Sequence, residues 1–282
     1  MPKMGATSKL VRGKERQPYG ALIRRHCVPM QAAAIDRRED GGIKFIGGSA
    51  LLWETMEGRF FVTACHVWRD LWRLIKEHPE KYILIVHDVE GMLRITHPIL
   101  VDECEELDLA VITFDGIKDY APGGKEFLKT LCWPTMPAQA GEFVVGCGYP
   151  GDARIFRSGQ WEQQILFWAF KNFTLSKSGN RLLLDGHAGK GNLEYFTKQK
   201  PGNWGLPGIS GAPLFVLRET LDWVGTVRSG LGKVAAAHSI QATPSSFLCP
   251  DGHIVKPCPR NAPGTCDCGR FLSPLRHSVG ES

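Results

Sequence analysis

A serine framed by glycines is the stretch of this sequence best suited to covalent chemistry. Gly208-Ile209-Ser210-Gly211 is followed by Ala212-Pro213 and then by an apolar run with the character of a strand. Glycines on both sides let the backbone turn sharply, which leaves the hydroxyl open and points main-chain N–H groups into the same space. A nucleophilic serine with an oxyanion hole needs this arrangement. Taken alone, the stretch is more typical of a structural turn in a β protein.

Two upstream residues have the chemistry to activate such a serine. His66 follows a short apolar strand, and a histidine held at a strand end can act as a general base. Asp108 opens the strand over residues 109–114, which would hold a carboxylate at a barrel rim. In isolation, the histidine is typical of a buried ring bonded to backbone, and the aspartate of a strand-start cap. Together, in this order and spacing, they predict a Ser-His-Asp triad.

These segments resemble the motifs of chymotrypsin-fold (trypsin-like) serine proteases. Thr63-Ala64-Cys65-His66 is similar to their Thr-Ala-x-His, residues 108–112 to their Asp-[Ile/Leu]-Ala-apolar, and residues 208–213 to their Gly-x-Ser-Gly-[Gly/Ala]-Pro. A Gly-Ser-Ala-apolar strand at 48–52 agrees with this. Gly-Tyr-Pro-Gly at 148–151 resembles bacterial trypsin-like and high-temperature-requirement-type peptidases, here expected without a PDZ domain. The resemblance covers residues 40–240.

The resemblance implies an all-β fold of two antiparallel six-stranded β-barrels, with the active site in the cleft between them. It implies His66 as base, Asp108 as its orienting carboxylate and Ser210 as nucleophile, with an oxyanion hole formed by the N–H groups of Gly208 and Ser210. Six positions are implied to bind substrate, two at the base of the specificity pocket and four on a strand that pairs with the peptide. They are Trp204, Gly205, Val227, Arg228, Ser229 and Gly230.

Departures from the family pattern bear on activation and specificity. Ile209 stands where secreted, zymogen-activated members have an aspartate, so activation by trimming is not implied. No acidic residue occurs between Lys198 and Ile209, so a preference for Arg or Lys at P1 lacks its usual partner. We expect an apolar P1 residue. Lys198 and Lys200 keep an acidic P1 open as an alternative.

Composition divides the chain into four predicted segments. About a dozen short strand patterns with little helix favour a barrel or sandwich, and one helix is predicted over residues 67–78. The segments are residues 1–20, a disordered basic arm; 21–120, an N-terminal β-barrel with His66 and Asp108; 121–245, a C-terminal β-barrel with Ser210; and 246–282, a small Cys-rich appendix.

The nine cysteines fall into two groups. Five are scattered in apolar surroundings and are predicted to be buried free thiols, namely Cys27, Cys65, Cys104, Cys132 and Cys147. Four lie in the tail, with His253 as a spare ligand, and could hold a structural zinc: Cys249, Cys258, Cys266 and Cys268. Their spacing lacks paired Cys-x-x-Cys knuckles, so free thiols or a disulfide remain alternatives. No cofactor is expected for catalysis.

Net charge and hydropathy limit the classes of partner that we expect this chain to bind. A formal net charge of +5 over 282 residues is too small an excess to argue for a nucleic-acid partner. No apolar segment is long enough to cross a membrane, and the N-terminus lacks a signal-peptide pattern, so we expect a cytoplasmic protein. The expected partner is a protein or peptide substrate; the oligomeric state stays open. The alternatives to an active protease are a catalytically silent peptide-binding module and a protease regulated through its Cys-rich tail.

Overall fold

Most of the described chain is β-structure. The computed structural model describes residues 17–34, 45–87, 92–120, 124–130, 136–139, 141–150, 154–157, 160–163, 165–170, 173–175, 181–185, 193–195, 208–231, 239–249, 251–254, 264–265 and 271–272. The two α-helices within these ranges are α1, Gln17–Arg24, and α2, Cys65–Glu77. Among the described residues, no helix has both the length and the apolar composition needed to cross a membrane.

The first sheet comes from the N-terminal half of the chain. Its strands are β1 Cys27–Ala34, β2 Phe45–Glu54, β3 Arg59–Thr63, β4 Tyr82–His87, β5 Met92–Ile95, β6 Pro98–Cys104, β7 Leu109–Phe114 and β8 Leu128–Lys129. They pair in the order β5-β4-β1-β2-β3-β7-β6, and β8 adds to β2. Every pair is antiparallel except β2 with β8.

The second sheet comes from the C-terminal half and is wholly antiparallel. Its strands are β9 Val144–Gly148, β12 Leu166–Phe170, β13 Thr174–Leu175, β14 Leu182–Asp185, β15 Leu193–Tyr195, β16 Pro213–Leu217, β17 Leu221–Leu231 and β18 Ser239–Pro244. Their order is β13-β14-β18-β17-β16-β9-β12-β15. Two separate hairpins join β10 Arg154–Arg157 to β11 Gln160–Gln163, and β19 Gly264–Thr265 to β20 Phe271–Leu272.

Six strands of each sheet share one connectivity. Counted along the chain, they are β1, β2, β3, β4, β6 and β7 in the first sheet, and β9, β12, β14, β16, β17 and β18 in the second. In both, the first strand pairs with the second and the fourth, and the sixth pairs with the third and the fifth. Both sheets therefore have the same cyclic strand order. Among the described residues, the cycle is interrupted between a different pair of strands in each sheet. Two such curled antiparallel sheets confirm the all-β, chymotrypsin-like fold class, although each sheet contains eight strands, where six were predicted.

The two sheets pack against each other through a shared core. One apolar cluster fills the first sheet beneath α2, another fills the second, and a third contains residues of both. In this third cluster Trp53 of β2 meets Trp223 of β17, with ring centroids 5.5 Å apart. Both indoles are almost fully buried, so the two halves have one continuous interior.

The structure differs from the predicted segment boundaries in several places. Helix α1 begins at Gln17, inside the predicted basic arm, and β8 still belongs to the first sheet beyond residue 120. Strand β1 was not predicted because its sequence, CVPMQAAA, has no period-2 alternation, yet it lies at the centre of the first sheet.

The start of the predicted appendix is part of the shared core. Leu248 forms a β-bridge with Ile254, and both side chains are buried in the cluster that joins the two sheets. The N–H of Ile254 donates to Asp102 Oδ2 at 2.7 Å. The apolar side chains Leu248 and Ile254 are thus held by the barrels, which the scarcity of apolar residues in this segment did not indicate.

This packing predicts that Leu248→Ala destabilises the whole fold. Removing a fully buried leucine side chain should lower the free energy of unfolding by about 2–5 kcal/mol. The matched control is Leu217→Ala on β16, whose side chain is 37% exposed and which should cost about 0.5 kcal/mol. Urea unfolding followed by tryptophan fluorescence measures both; equal costs would contradict the placement of Leu248 in the shared core.

Candidate active site

His66 and Asp108 form the best-defined pair of functional side chains. Nδ1 of His66 lies 3.0 Å from Oδ1 and 2.9 Å from Oδ2 of Asp108. The main-chain N–H of His66 also donates to Asp108 Oδ1 at 3.0 Å. Because the carboxylate can only accept, Nδ1 carries the proton of the neutral ring and Nε2 is left with its lone pair. The carboxylate is 14% exposed, whereas the histidine side chain is 49% exposed.

The sheet register brings these two side chains together. Strands β3 and β7 are antiparallel, with Thr63 opposite Ala110. The end of β3, which leads into α2 at Cys65, therefore lies beside the start of β7, which Asp108 precedes. Asp108 has φ of +52°, a left-handed backbone that non-glycine residues seldom adopt. Its N–H donates to Glu105 O at 3.1 Å, and Thr243 of β18 donates its hydroxyl to Leu107 O. Such backbone strain clusters at functional sites.

Ser210 is placed by Ser49 of β2. The N–H of Ser49 donates to Ser210 O at 2.8 Å, and the Ser49 hydroxyl donates to Gly208 O at 3.1 Å. The same hydroxyl accepts from the N–H of Tyr149 at 2.9 Å. Gly48 lies between Ser210 O and the side chain of Val67, the residue after His66: a Cβ on Gly48 would meet them at 2.6 and 2.9 Å. The serine turn is therefore bonded directly to the sheet that bears the His66–Asp108 pair.

Gly211 lies too close to the first sheet to have a side chain. Its φ is +84°, and a Cβ there would lie 1.9 Å from Ser49 O and 2.2 Å from Thr63 Oγ1. Thr63 Oγ1 itself donates to Ser49 O at 2.8 Å. On the other side, Gly211 N–H donates to Val227 O and Val227 N–H to Ala212 O, both at 2.8 Å. The turn is held between β2, β3 and β17.

The N–H groups of Gly208 and Ser210 donate to no atom of the described residues. Gly208 has φ of +95°, which a residue with a side chain would rarely adopt. These are the two donors predicted for the oxyanion hole. The described residues likewise include no hydrogen bond between the Ser210 hydroxyl and the His66 ring; such contacts are often long before substrate binds.

Opposing charges set the protonation of His66. The hydrogen bond to Asp108 is the largest influence and raises the pKa of His66 above its ordinary value, while partial burial lowers it. The charges of Asp108 and Asp70 raise the pKa further, and the charge of Arg228 lowers it. The histidine is thus held by one anionic partner and faced by one cation.

The neighbouring Cys65 is not a rival nucleophile. Burial, followed by the charge of Glu103, raises the pKa of Cys65 to about 12. At neutral pH it is therefore a protonated thiol, whereas the reactive form of a cysteine is the thiolate. The prediction of free thiols is confirmed for Cys27, Cys65, Cys104 and Cys147, which are buried and unbridged; Cys132 lies outside the described residues.

The remaining predicted site residues are only partly described. Val227, Arg228, Ser229 and Gly230 all lie on β17, whereas Trp204 and Gly205 fall outside the described residues. So do Cys258, Cys266 and Cys268. Cys249 is described and fully buried, with its thiol donating to Asp251 Oδ2 at 3.9 Å. No group of ligands suited to a metal occurs among the described residues.

Sequence patterns missed two supporting residues of this site and a backbone irregularity at a third, predicted one. Ser49 was noted only as part of a motif, and its bonds to the serine turn come from a strand far away in the chain. Thr243 binds the backbone next to Asp108 from the other sheet. The β17–β18 register shifts between Val227 and Ser229, so Arg228 lies at a β-bulge, an irregularity that redirects side chains. Neither the hydrogen bonds of Ser49 and Thr243 nor the bulge at Arg228 has a local sequence signal.

Comparisons with known proteins add little at the level of sequence. No protein-family model matches the chain, and no curated protein matches it. A solved structure described as "Crystal structure of Deg5" is similar, with a TM-score of 0.43 and 16% sequence identity. The similarity covers 83% of this chain and 91% of that chain. A TM-score at this level supports no functional conclusion, so the fold class rests on the sheet connectivity described above.

The close approach at Gly211 yields a stability prediction with an internal control. Gly211→Ala should lower the free energy of unfolding by about 3 kcal/mol or more, because the new Cβ would overlap Ser49 O and Thr63 Oγ1. Gly116 has a similar φ of +88° but no atom within 4 Å of a Cβ, so Gly116→Ala should cost only about 1–2 kcal/mol for the left-handed backbone. Urea unfolding measures the loss of unfolding free energy in both variants. Equal losses would mean that backbone strain, and not steric overlap with Ser49 and Thr63, accounts for the cost of Gly211→Ala.

The charges around His66 predict opposite shifts in two variants. Asp108→Asn removes the strongest stabiliser of the protonated ring, so the pKa of His66 should fall. Arg228→Gln removes the cation, so the pKa should rise. Asp70→Asn should lower it by less than Asp108→Asn, because Asp70 contributes only its charge. NMR titration of the His66 ring against pH measures all three, and a fall in Arg228→Gln would contradict the assigned electrostatics.

Proposed function

We propose that this chain is a serine endopeptidase, which hydrolyses peptide bonds in protein or peptide substrates through an acyl-enzyme on Ser210. The observation that carries the proposal is the His66–Asp108 pair, whose geometry fixes the proton on Nδ1 and leaves Nε2 as a base. The second support is the serine turn, tied by Ser49 to the sheet that holds this pair. The chymotrypsin-like connectivity is consistent with it.

In the proposed reaction, Nε2 of His66 accepts the proton of the Ser210 hydroxyl as Oγ attacks the scissile carbonyl carbon. Asp108 accepts the Nδ1–H bond throughout and stabilises the imidazolium that forms. The negative oxygen of the tetrahedral intermediate accepts hydrogen bonds from the N–H groups of Gly208 and Ser210, which are otherwise unused by the described residues. One such donor contributes about 3 kcal/mol to lowering the barrier.

The second half of the cycle uses the same groups. The imidazolium gives its proton to the leaving amine, and the amine departs as the acyl-enzyme forms on Ser210. His66 then takes a proton from a water that attacks the ester, and the acid product leaves with the hydroxyl of Ser210 restored. Every proton transfer passes through Nε2 of His66, so the reaction needs the ring neutral at the start. Its rate should therefore fall as the pH drops through the His66 pKa.

The proposed peptide-binding element is β17. A substrate lying along Val227 to Gly230 would add a strand by main-chain hydrogen bonds. The bulge within this segment interrupts its pairing with β18 at Arg228, on the strand whose Val227 main chain is bonded to the serine turn. The P1 preference, expected to be apolar, depends on residues 198–207, and the tail cysteines remain candidates for a structural zinc.

The test of the mechanism is Ser210→Ala. This variant should lose hydrolysis of a casein or peptide substrate by about 10⁶-fold and lose labelling by a fluorophosphonate, because the nucleophile is gone. Its urea-unfolding midpoint should match that of the wild type. The matched control is Ser239→Ala, a serine at the start of β18 outside the three motifs, which should retain both activities.

Two outcomes would contradict the proposal. Undiminished hydrolysis in Ser210→Ala would remove Ser210 from the mechanism. Failure of the wild-type chain both to react with the fluorophosphonate and to give a burst of product from an activated ester would favour the silent peptide-binding module instead.

A further inference from the structure

Arg228 is a charged side chain near the His66–Asp108 pair whose guanidinium this mechanism does not use. Its Nη1 is buried and has no hydrogen-bond partner among the described residues. No ion pair joins its guanidinium to a described carboxylate. Arg228 is half-buried, and a donor buried without a partner is costly, since its lost hydration is not replaced.

The charges around Arg228 do not supply the missing partner. Asp108 and Glu106 lie near enough for their charges to act on Arg228. However, both oxygens of Asp108 are already engaged with His66, and Glu106 makes no hydrogen bond to the guanidinium. Burial, followed by the charge of Arg181, lowers the pKa of Arg228. Two cations therefore lie near each other at this site.

The position of Arg228 on β17 connects it to the substrate path. Val227, the residue before it, exchanges main-chain hydrogen bonds with Gly211 and Ala212 of the serine turn. Ser229 and Gly230, the residues after it, belong to the proposed peptide-binding strand. Between Gly225 and Leu231, where β17 pairs with β18, the bulge leaves Arg228 without a counterpart on β18. A peptide bound along β17 must pass this guanidinium.

We propose that Arg228 is a specificity-determining residue that binds a carboxylate of the substrate, selecting an Asp or Glu in the peptide segment that pairs with β17. The inference rests on the proposed peptidase function and deepens it. A guanidinium presents paired N–H donors that match the two oxygens of a carboxylate, and the charge-assisted pair offsets the desolvation of both groups. A neutral side chain at the same peptide position leaves the guanidinium of Arg228 unpaired. Peptides with Asp or Glu there are therefore cleaved in preference to peptides with a neutral residue.

The experiment compares matched peptides that differ by one Glu→Gln change at each position flanking the scissile bond. For the wild-type chain, the ratio of kcat/KM for the Glu peptide over the Gln peptide should reach about 10- to 100-fold at one position. In Arg228→Gln this ratio should fall toward one, and in Arg228→Lys it should be intermediate, because the charge stays but the paired donors do not. The ratio is internal to each variant, so a general loss of activity does not affect it.

The matched control is Arg94→Gln, which removes the same charge from an exposed position on β5 and should keep the wild-type ratio. Two results overturn the proposal: a wild-type ratio near one at every position, or a preference for Glu that persists in Arg228→Gln. Fluorophosphonate labelling of Ser210 separates this failure from that of the parent function. A chain that is labelled and cleaves peptides without an acidic preference contradicts only the role of Arg228. A chain that is neither labelled nor cleaves peptides contradicts both that role and the peptidase function.

Discussion

The geometry of the candidate active site depends on the buried main chain and hydroxyl of Ser49. Through its N–H, its carbonyl and its Oγ, this residue binds Ser210, Thr63, Gly208 and Tyr149. It lies in the first sheet, and three of these four partners lie in the second half of the chain. Because Ser49 is fully buried, each bond left unmade would cost about 1–3 kcal/mol. Small relative movements of the two sheets are therefore opposed at the serine turn.

Residues of both sheets act on the His66–Asp108 pair. Asp108 is in a strained left-handed conformation, and the peptide unit before it makes two hydrogen bonds, one of them from Thr243 of the other sheet. The strain is offset by the three contacts that its carboxylate makes to His66. Arg228, also on the second sheet, opposes Asp108 in its effect on the histidine. The pKa of His66 therefore depends on how closely the two sheets approach. Asp108, which raises this pKa, comes from the first half of the chain, and Arg228, which lowers it, comes from the second.

Some elements followed from local pattern and others did not. Strand β7 is an almost continuous apolar run, and helix α2 has apolar residues at helical spacing. The existence of both elements, and the placement of His66 and Asp108 at their ends, were therefore predictable. Strand β1 was not, because CVPMQAAA lacks alternation and its strand conformation is imposed by pairing with β2 and β4 on either side. Leu248 and Ile254 looked like part of a polar appendix because two apolar residues form no periodic pattern. Their burial depends on the core that the two sheets share.

The sequence by itself was enough to name the residues of the proposed mechanism. Glycines at 208 and 211 encode a turn through φ values that other residues avoid, and His66 and Asp108 stand where strands end, so local chemistry was enough to name them. Only the tertiary structure decided how they are held, by a hydroxyl from β2 and a threonine from β18, and where the bulge places Arg228. Contacts between strands far apart in the chain leave no periodic trace in a single sequence. The supporting residues around a site therefore emerge only once the sheets are packed.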